Sequence, residues 1–469
     1  TVSDPHEIAN VLGVDGIKYM IENGNMVPFK FYFGASSCVP ATDFETAGAR
    51  LEAEDIEHLF KEYDLKYLSE MMNYPGVLFD SPEVMEKLSI AKKYGKPIDG
   101  HAPGLRGEQA RKYISAGIST DHECFSIDEA REKITYGMKI LIREGSAAKN
   151  FNELHPLIKE HKDMVMLCSD DKHPDDFVEG HINEVVKKAV ALGYDLYDVL
   201  HITCINPIEH YGLDVGTLNV GDPADFIVVN NLKEFGNLAT YINGIKVAEN
   251  GKTLIDSVEA KAVNNFNIAP KKPEDFAIKH KGGMIRVIEA IEGQLITNEL
   301  HLEAKVEDGF VVSDVENDIL KITVVDRYRE SQPAVSFIKN FGLKSGAIAS
   351  CVGHDSHNII AVGVDDNSLA AVVNEVIKHK GGVAIMVDGK VEVLPLPVAG
   401  IMSNEDGWVV AQKYDKLNKL PKLIGCHLHS PYMTLSFMAL LVIPALKLGD
   451  KGLFDGKKFE FVDLFVENS

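Results

Sequence analysis

The chain has 469 residues, of which 45% are hydrophobic and 25% charged, and its formal net charge is −22. This length and composition predict a soluble globular protein of two or three domains. A surface this negative repels phosphate backbones and anionic membranes, so we expect neither nucleic acid nor a membrane as a partner.

Six scattered cysteines contain no CxxC pair. This pattern predicts reduced thiols in a cytoplasmic protein rather than a disulfide framework. The most apolar stretch, residues 433–446, is too short to span a membrane and is interrupted by Pro444, so we expect a core segment there.

Short β-like runs alternate with helix-like stretches from residue 1 to about residue 172, which favours βαβ units and a parallel sheet. Each run ends in a polar cluster. The runs are 1–7, 30–37, 66–76, 96–104, 117–123, 139–150 and 164–171, and helices are predicted at 81–95, 107–117 and 126–137. Seven strands are one short of a (β/α)8 barrel, whose active site lies at the carboxyl ends of its strands.

The pattern changes after this region. Apolar residues at helical spacing predict one helix over 175–193, and "INGIKV" within 216–251 predicts a hairpin in a small β module. Pro270 and the stretch 271–276 predict a linker, and a strand at 318–328 and a helix at 368–382 follow it. The predicted domains are therefore 1–205, 206–270 and 271–469.

Four ligand-type side chains lie at the predicted strand ends, namely Glu70, His101, His122 and Asp170. Neutral imidazole and carboxylate are ligands for divalent zinc, iron or manganese, and such ions make a nucleophile from water near neutral pH. Each residue also has a structural alternative. The histidines could lie in turns, Glu70 could pair with a lysine, and Asp170 or Asp171 could cap the helix near Pro174.

Several motifs occur in one order along the chain, including "DPHEIANVLG", "EMMNYPGV", "DGHAPG", "GISTDHE", "REGSAAKN" and "CSDDKHPDD". Together with "VGHDSHNIIAVG" and "LPLPVAGIMS" nearer the C-terminus, they resemble the adenine deaminase family within the metal-dependent amidohydrolase superfamily. The resemblance implies an α/β fold: a (β/α)8 amidohydrolase-type barrel, a small β-sandwich module and an α+β C-terminal domain. The barrel's first strand would lie outside this chain.

The resemblance also implies the reaction, in which adenine and water give hypoxanthine and ammonia as part of purine salvage. The family uses two divalent metal ions, manganese or iron, with zinc as an alternative, and a hydroxide held between them attacks the base. Carried over by motif, Glu70 resembles the bridging carboxylate, and His101 and His122 resemble metal ligands. Asp170, in preference to Asp171, resembles a ligand that also moves the proton.

Two further ligands in the family come from an HxH motif on the first barrel strand. The only HxH here is His427-Leu428-His429, which we expect to be a core motif of the C-terminal domain. A chain without the HxH strand would bind metal weakly and could be a catalytically inactive binding protein. A second alternative is another amidohydrolase reaction, on a cyclic amide or a related purine.

Further residues are candidates for supporting roles. Residues that could orient the metal ligands from behind are His6, Glu7 and Glu123, although His6 and Glu7 could equally cap a helix. Residues that could contact the purine are Asn73, Glu144, Ser146, His354, Asp355 and His357. The last three could also form only a hydrogen-bonded turn. We expect a homo-oligomer.

Overall fold

The computed structural model describes residues 1–146 and 148–466, and the chain divides into two units. The first unit contains Thr1–His6, Val14–Cys38 and Leu51–Glu259. The second contains Glu7–Gly13, Val39–Arg50 and the chain from Ala260 onward. Two short segments of the predicted barrel domain are thus counted with the second unit, and the division into three domains stays a prediction.

Each of the seven predicted strand runs contains an observed strand. The strands are β1 (Val2–Ser3), β2 (Tyr32–Phe33), β3 (Leu68–Met71), β4 (Ile98–Gly100), β5 (Thr120–Asp121), β6 (Lys139–Arg143) and β7 (Val165–Cys168). The pairs β1–β2, β3–β4, β5–β6 and β6–β7 are all parallel. A bridge between Ala35 and Leu68 links β2 to β3, and the Ser119 amide donates to Ile98 to link β4 to β5.

Helices follow the strands, as the alternation predicts. They are α1 (His6–Leu12), α2 (Val14–Gly24), α3 (Ala53–Glu62), α4 (Tyr74–Leu78), α5 (Pro82–Lys93), α6 (Gly107–Ser115), α7 (Ile127–Thr135), α8 (Phe151–Leu154), α9 (Leu157–Glu160), α10 (Pro174–Glu179), α11 (Ile182–Ala191), α12 (Leu196–Leu200) and α13 (Asn206–Tyr211). None of the helices described in the chain is both long and apolar enough to cross a membrane.

Residues from the first and the last parallel strands pack in one apolar cluster. Tyr67, Met166 and Tyr211 are buried together, and Val2 and Leu141 pack against them. These residues come from both the first and the last strands of the series, so the sheet curves around the cluster. The first unit therefore has a TIM-barrel-type α/β architecture.

The single helix predicted over 175–193 is wrong, because the chain forms α10 and α11 with Gly180 and His181 between them. The amide of His181 donates to the side chain of Asn183 at 3.0 Å, and its Nε2 lies 3.0 Å from Ser169 Oγ. A glycine at this point lets the backbone leave the first helix, and these local contacts stabilise the break.

The predicted hairpin is confirmed. A four-stranded antiparallel sheet contains β8 (Phe226–Val229), β9 (Asn237–Ile242), β10 (Ile245–Glu249) and β11 (Lys252–Thr253). Ile242 pairs with Ile245 across the turn, and Asn243 and Gly244 both have positive φ, 49° and 77°. Asparagine followed by glycine is the preferred pair for such a turn because both residues tolerate this conformation.

The strands of the second unit are β12 (Ile278–Lys279), β13 (Met284–Ala290), β14 (Thr297–Glu303), β15 (Val306–Glu307), β16 (Phe310–Val311), β17 (Ile319–Val325), β18 (Ala334–Lys339), β19 (Ala347–Ser350), β20 (Ile359–Gly363), β21 (Gly382–Val387), β22 (Lys390–Pro395), β23 (Leu446–Gly449), β24 (Gly452–Asp455), β25 (Glu460–Phe461) and β26 (Phe465–Val466). Nine of them form one sheet in the order β14-β13-β18-β17-β20-β19-β21-β22, with β26 beside β13. The helices of this unit are α14 (Asp366–His379), α15 (Gly407–Lys419) and α16 (Pro431–Phe437). The apolar stretch after residue 433 is buried, as expected.

The predicted linker at 271–276 is wrong. Pro273–Phe276 form a 3-10 helix, and Phe276 is fully buried in the core between α14 and the sheet. The Lys271 amide donates to Asn374 Oδ1 at 2.7 Å, and the Asn374 side chain donates back to Lys271 at 2.8 Å. The proline and the charged residues suggest a linker, but this phenylalanine anchors the segment to the second unit.

The buried Lys447 predicts a pH-dependent stability. Its ammonium donates to the carbonyls of Leu295 and Phe437 at 2.6 and 2.9 Å, and burial lowers its pKa from 10.5 to about 7. Between these values the unfolded chain binds a proton that the folded chain does not, so the free energy of unfolding should rise with pH. The contribution is about 3 kcal/mol between pH 7 and pH 9.5.

We therefore expect the free energy of unfolding of the unsubstituted protein to rise by this amount, relative to that of Lys447→Met, over that pH range. Urea unfolding can be followed by the fluorescence of Trp408, the single tryptophan, which lies in the second unit. Parallel pH profiles for the two proteins would contradict the prediction.

Candidate metal centre

Three predicted ligands meet at the carboxyl ends of neighbouring strands. Glu70 lies on β3, His101 follows β4, and His122 follows β5. Glu70 Oε2 lies 2.9 Å from His101 Nδ1 and 3.1 Å from His122 Nε2, and the two imidazole centroids are 5.3 Å apart. One donor atom from each residue lies within 4.8 Å of the others, so the group could hold a metal ion.

The electrostatics of this group favour an ionised carboxylate. Burial alone would raise the pKa of Glu70, but His122 and His101 outweigh it and hold the pKa well below its usual value. Burial opposes the charged form of His122, but Glu70 and then Asp170 raise its pKa to about 10. A divalent cation can take the place of these protons, because both imidazoles and the carboxylate are good ligands once deprotonated.

The second oxygen of Glu70 faces a different pair of donors. Glu70 Oε1 lies 3.6 Å from His6 Nδ1, which lies 3.0 Å from Asp4 Oδ2. Donor atoms of Asp4, His6 and Glu70 also lie within 4.8 Å of one another. The Glu70 carboxylate is therefore flanked by two donor groups, one on each side.

The chemistry of these residues fits a divalent metal. Two imidazoles with a carboxylate form a donor set typical of zinc, iron or manganese. In addition, His101 Nε2 is buried and has no hydrogen-bond partner among the residues that the structure describes. Buried polar atoms are rarely left this way without a functional reason.

Asp170, the fourth predicted ligand, lies at the edge of the same group, and its role as a metal ligand stays a prediction. Its Oδ2 is 3.6 Å from His122 Nε2, and its side chain is 29% exposed, so it lies near the donors and is only partly accessible to solvent. Its φ of 52° is in the left-handed region, which aspartate tolerates better than most residues. Burial would raise its pKa, but Arg143 and His122 outweigh that effect and lower it.

Arg143 was missed in the sequence. It is the last residue of β6, it is buried, and its Nη1 pairs with both Glu123 Oε1 and Asp170 Oδ2. Glu123 also approaches the imidazole of His122, at 3.4 Å. This arginine therefore fixes two carboxylates beside the donor group.

The candidate purine contacts in the first unit have other partners. Asn73 Oδ1 accepts from the Gly76 amide at 2.9 Å and caps α4. Glu144 pairs with Lys188, and Ser146 Oγ accepts from the His173 amide at 2.8 Å. Their roles in substrate binding stay predictions.

The remaining candidates lie in the second unit. The Glu7 carboxylate is 3.0 Å from His354 Nδ1 and pairs with His357, and Asp355 Oδ1 is 3.6 Å from His354 Nδ1. His354 stacks on Phe437 with centroids 4.7 Å apart. The proposed contacts of this group with substrate also stay predictions.

The HxH sequence alternates between core and surface. Leu428 is buried, whereas His427 and His429 are exposed, and the His429 amide donates to Glu292 Oε1 at 2.7 Å. The expectation of a core motif is therefore confirmed for Leu428 only, because both histidines lie at the surface.

Comparisons with known proteins agree with this architecture. The amidohydrolase family model matches residues 1–255, and the adenine deaminase C-terminal domain model matches residues 294–460. Adenine deaminase of Salinibacter ruber is 54% identical over 469 residues, covering 100% of this chain and 86% of that protein. The adenine deaminases of Methanosarcina mazei and Sulfurovum sp. are 53% and 54% identical, each covering 99% of this chain and 86% of theirs. The chain belongs to the adenine deaminase family of amidohydrolases.

Proposed function

We propose that this protein hydrolyses adenine to hypoxanthine and ammonia. The observation that carries the proposal is the meeting of Glu70, His101 and His122 at three adjacent strand ends, in a chain that is about half identical to adenine deaminases. Purine salvage is the process in which this reaction takes part.

Two divalent ions, manganese or iron with zinc as an alternative, would be held on either side of Glu70. His101, His122 and Glu70 would hold one ion, and Glu70, which also lies beside His6, would share in holding the second. When bound, such ions lower the pKa of water enough to supply a nucleophile near neutral pH.

Asp170 would move the protons of the reaction. Its carboxylate would accept a proton as water adds to C6 of adenine, and would return a proton to the exocyclic nitrogen as the C6–N bond breaks and ammonia leaves. The pairing with Arg143 keeps this carboxylate ionised and oriented. Glu123 would hold Arg143 in place from the other side.

The finer features of the fold and the cellular setting follow from the same family. We propose a (β/α)8 amidohydrolase-type barrel with a small β-sandwich module and an α+β C-terminal domain, at the boundaries 1–205, 206–270 and 271–469. We also propose a cytoplasmic homo-oligomer. Action on free adenine, and not on nucleic acid, is consistent with the net charge of −22.

The test is ammonia release by the purified protein loaded with manganese or iron. We expect release from adenine, with metal content per chain measured on the same sample. Release only from a cyclic amide or from another purine would favour a different amidohydrolase reaction. A metal-loaded protein that releases ammonia from none of these substrates would contradict an enzymatic role.

A further inference from the structure

Three polar side chains connect the carboxyl ends of successive strands behind the donor group. The first is Tyr113 on α6, which is 1% exposed. Its hydroxyl donates to the Met71 carbonyl at 2.7 Å and accepts from the His101 amide at 3.0 Å. Because Met71 follows Glu70, this hydroxyl ties the end of β3 directly to a histidine of the donor group.

The second is Lys133 on α7, which is also 1% exposed. Its ammonium donates to the Ala102 carbonyl at 2.7 Å, and to Asp121 Oδ2 and Glu129 Oε1 at 2.6 Å each. Asp121 Oδ1 in turn accepts from the Glu123 amide at 2.8 Å.

Lys133 binds the residues that lie directly next to the two histidines of the donor group. Ala102 directly follows His101, and Asp121 directly precedes His122, so one ammonium holds the chain beside both imidazoles. Its three partners complete its hydrogen bonding, which a buried ammonium requires.

The third is Asn150, which connects the ends of β5 and β6. Its amide nitrogen donates to the His122 and Cys124 carbonyls at 3.3 and 3.1 Å, and its oxygen accepts from the Arg143 amide at 2.7 Å. The side chain thus fixes His122 relative to the arginine that pairs with Asp170.

Regular backbone pairing joins β3 to β4 up to Met71 and Gly100, and β5 to β6 up to Asp121, but in the described chain no such ladder joins β4 to β5. β4 and β5 are only three and two residues long, and the Ser119 amide donates to Ile98 near the start of both strands. His101 and His122 follow the last residues of β4 and β5, so the spacing between these two ligands depends on the side chains that join the two strand ends. Metal binding tolerates errors of only about 0.2 Å in donor distances.

We propose that Tyr113, Lys133 and Asn150, here called the clamp residues, are positioning residues that set the spacing of Glu70, His101 and His122 for metal. This inference rests on the proposed function, because it assumes that these three residues hold a metal ion. The hydrogen bonds of the clamp residues go to the backbone beside the donors and, for Lys133, also to the carboxylates of Asp121 and Glu129.

The test compares Mn(II) affinity in Tyr113→Phe, Lys133→Met and a matched control. Tyr113→Phe removes a single oxygen atom and is the decisive variant, because Lys133→Met leaves two buried carboxylates without their partner and could prevent folding. The control is Lys321→Met in the second unit, where the lysine is 2% exposed and donates to Asp366 and to the Phe276 carbonyl at 2.6 and 3.1 Å.

We expect the Kd for Mn(II), measured by chelator competition, to rise 10- to 100-fold in Tyr113→Phe, with a broadened Mn(II) EPR spectrum. The control should keep the unsubstituted Kd even if its melting temperature falls. If Tyr113→Phe folds and keeps the Kd and the EPR spectrum of the unsubstituted protein, this inference is wrong and the proposed function is unaffected. Absence of Mn(II) binding in the unsubstituted protein would overturn the proposed function and this inference with it.

Discussion

Asparagine in place of Asp170 should lower kcat for adenine deamination by about 10²- to 10⁴-fold, the usual contribution of a general acid–base group. The amide keeps the size and one oxygen of the carboxylate, but it cannot accept a proton at neutral pH. Glu70, His101 and His122 remain, so the variant should still bind metal. Ammonia release and metal content, measured on the same sample, separate the two effects.

The neighbouring Asp171 provides the control. Asp171→Asn also removes one negative charge, one residue further along the chain. We expect this variant to keep most of the activity, because it is Asp170 that pairs with Arg143. Near-normal ammonia release from Asp170→Asn, or a larger loss from Asp171→Asn, would reverse the assignment of the proton carrier.

The fold of the first unit could be predicted because its signal is local. Alternating short apolar runs and helical stretches locate β1 to β7, and the carboxyl ends of parallel strands meet at one edge. That rule alone brings Glu70, His101 and His122 together. The packing of Phe276 could not be predicted, because its burial depends on residues far away in the chain.

Arg143 shows where the sequence contained an unused signal. In β6, Ile140 and Ile142 are fully buried, whereas Leu141 and Arg143 alternate with them, and Leu141 packs on the inner cluster. Period-two alternation therefore assigns Arg143 to the inner face of the sheet.

Lys133 offered no comparable signal. It lies in a charged helix, where a lysine is normally solvated. Its burial becomes evident only when Asp121, twelve residues away, and Ala102, thirty-one residues away, lie beside it.

Glutamine in place of Glu70 should remove most of the metal. The substitution deletes the negative charge that lies 2.9 and 3.1 Å from the two imidazoles, and it leaves a weak amide oxygen between the two donor groups. We expect metal content to fall to below one ion per chain and ammonia release to fall to background. Elemental analysis after dialysis measures the first effect directly.

The number of metal ions per chain that Glu70→Gln retains tests whether Glu70 bridges two ions. A carboxylate with one oxygen towards His101 and His122 and the other towards His6 should weaken both positions when it is lost. Loss of a single ion, with the other retained at full occupancy, would mean that Glu70 is an ordinary ligand of one ion. Glu132→Gln is the matched control. The Glu132 carboxylate lies 2.7 Å from Arg106 Nε, and neither residue belongs to the donor group. Its metal content should equal that of the unsubstituted protein, so a comparable loss there would show that the effect of Glu70→Gln is not specific to the site.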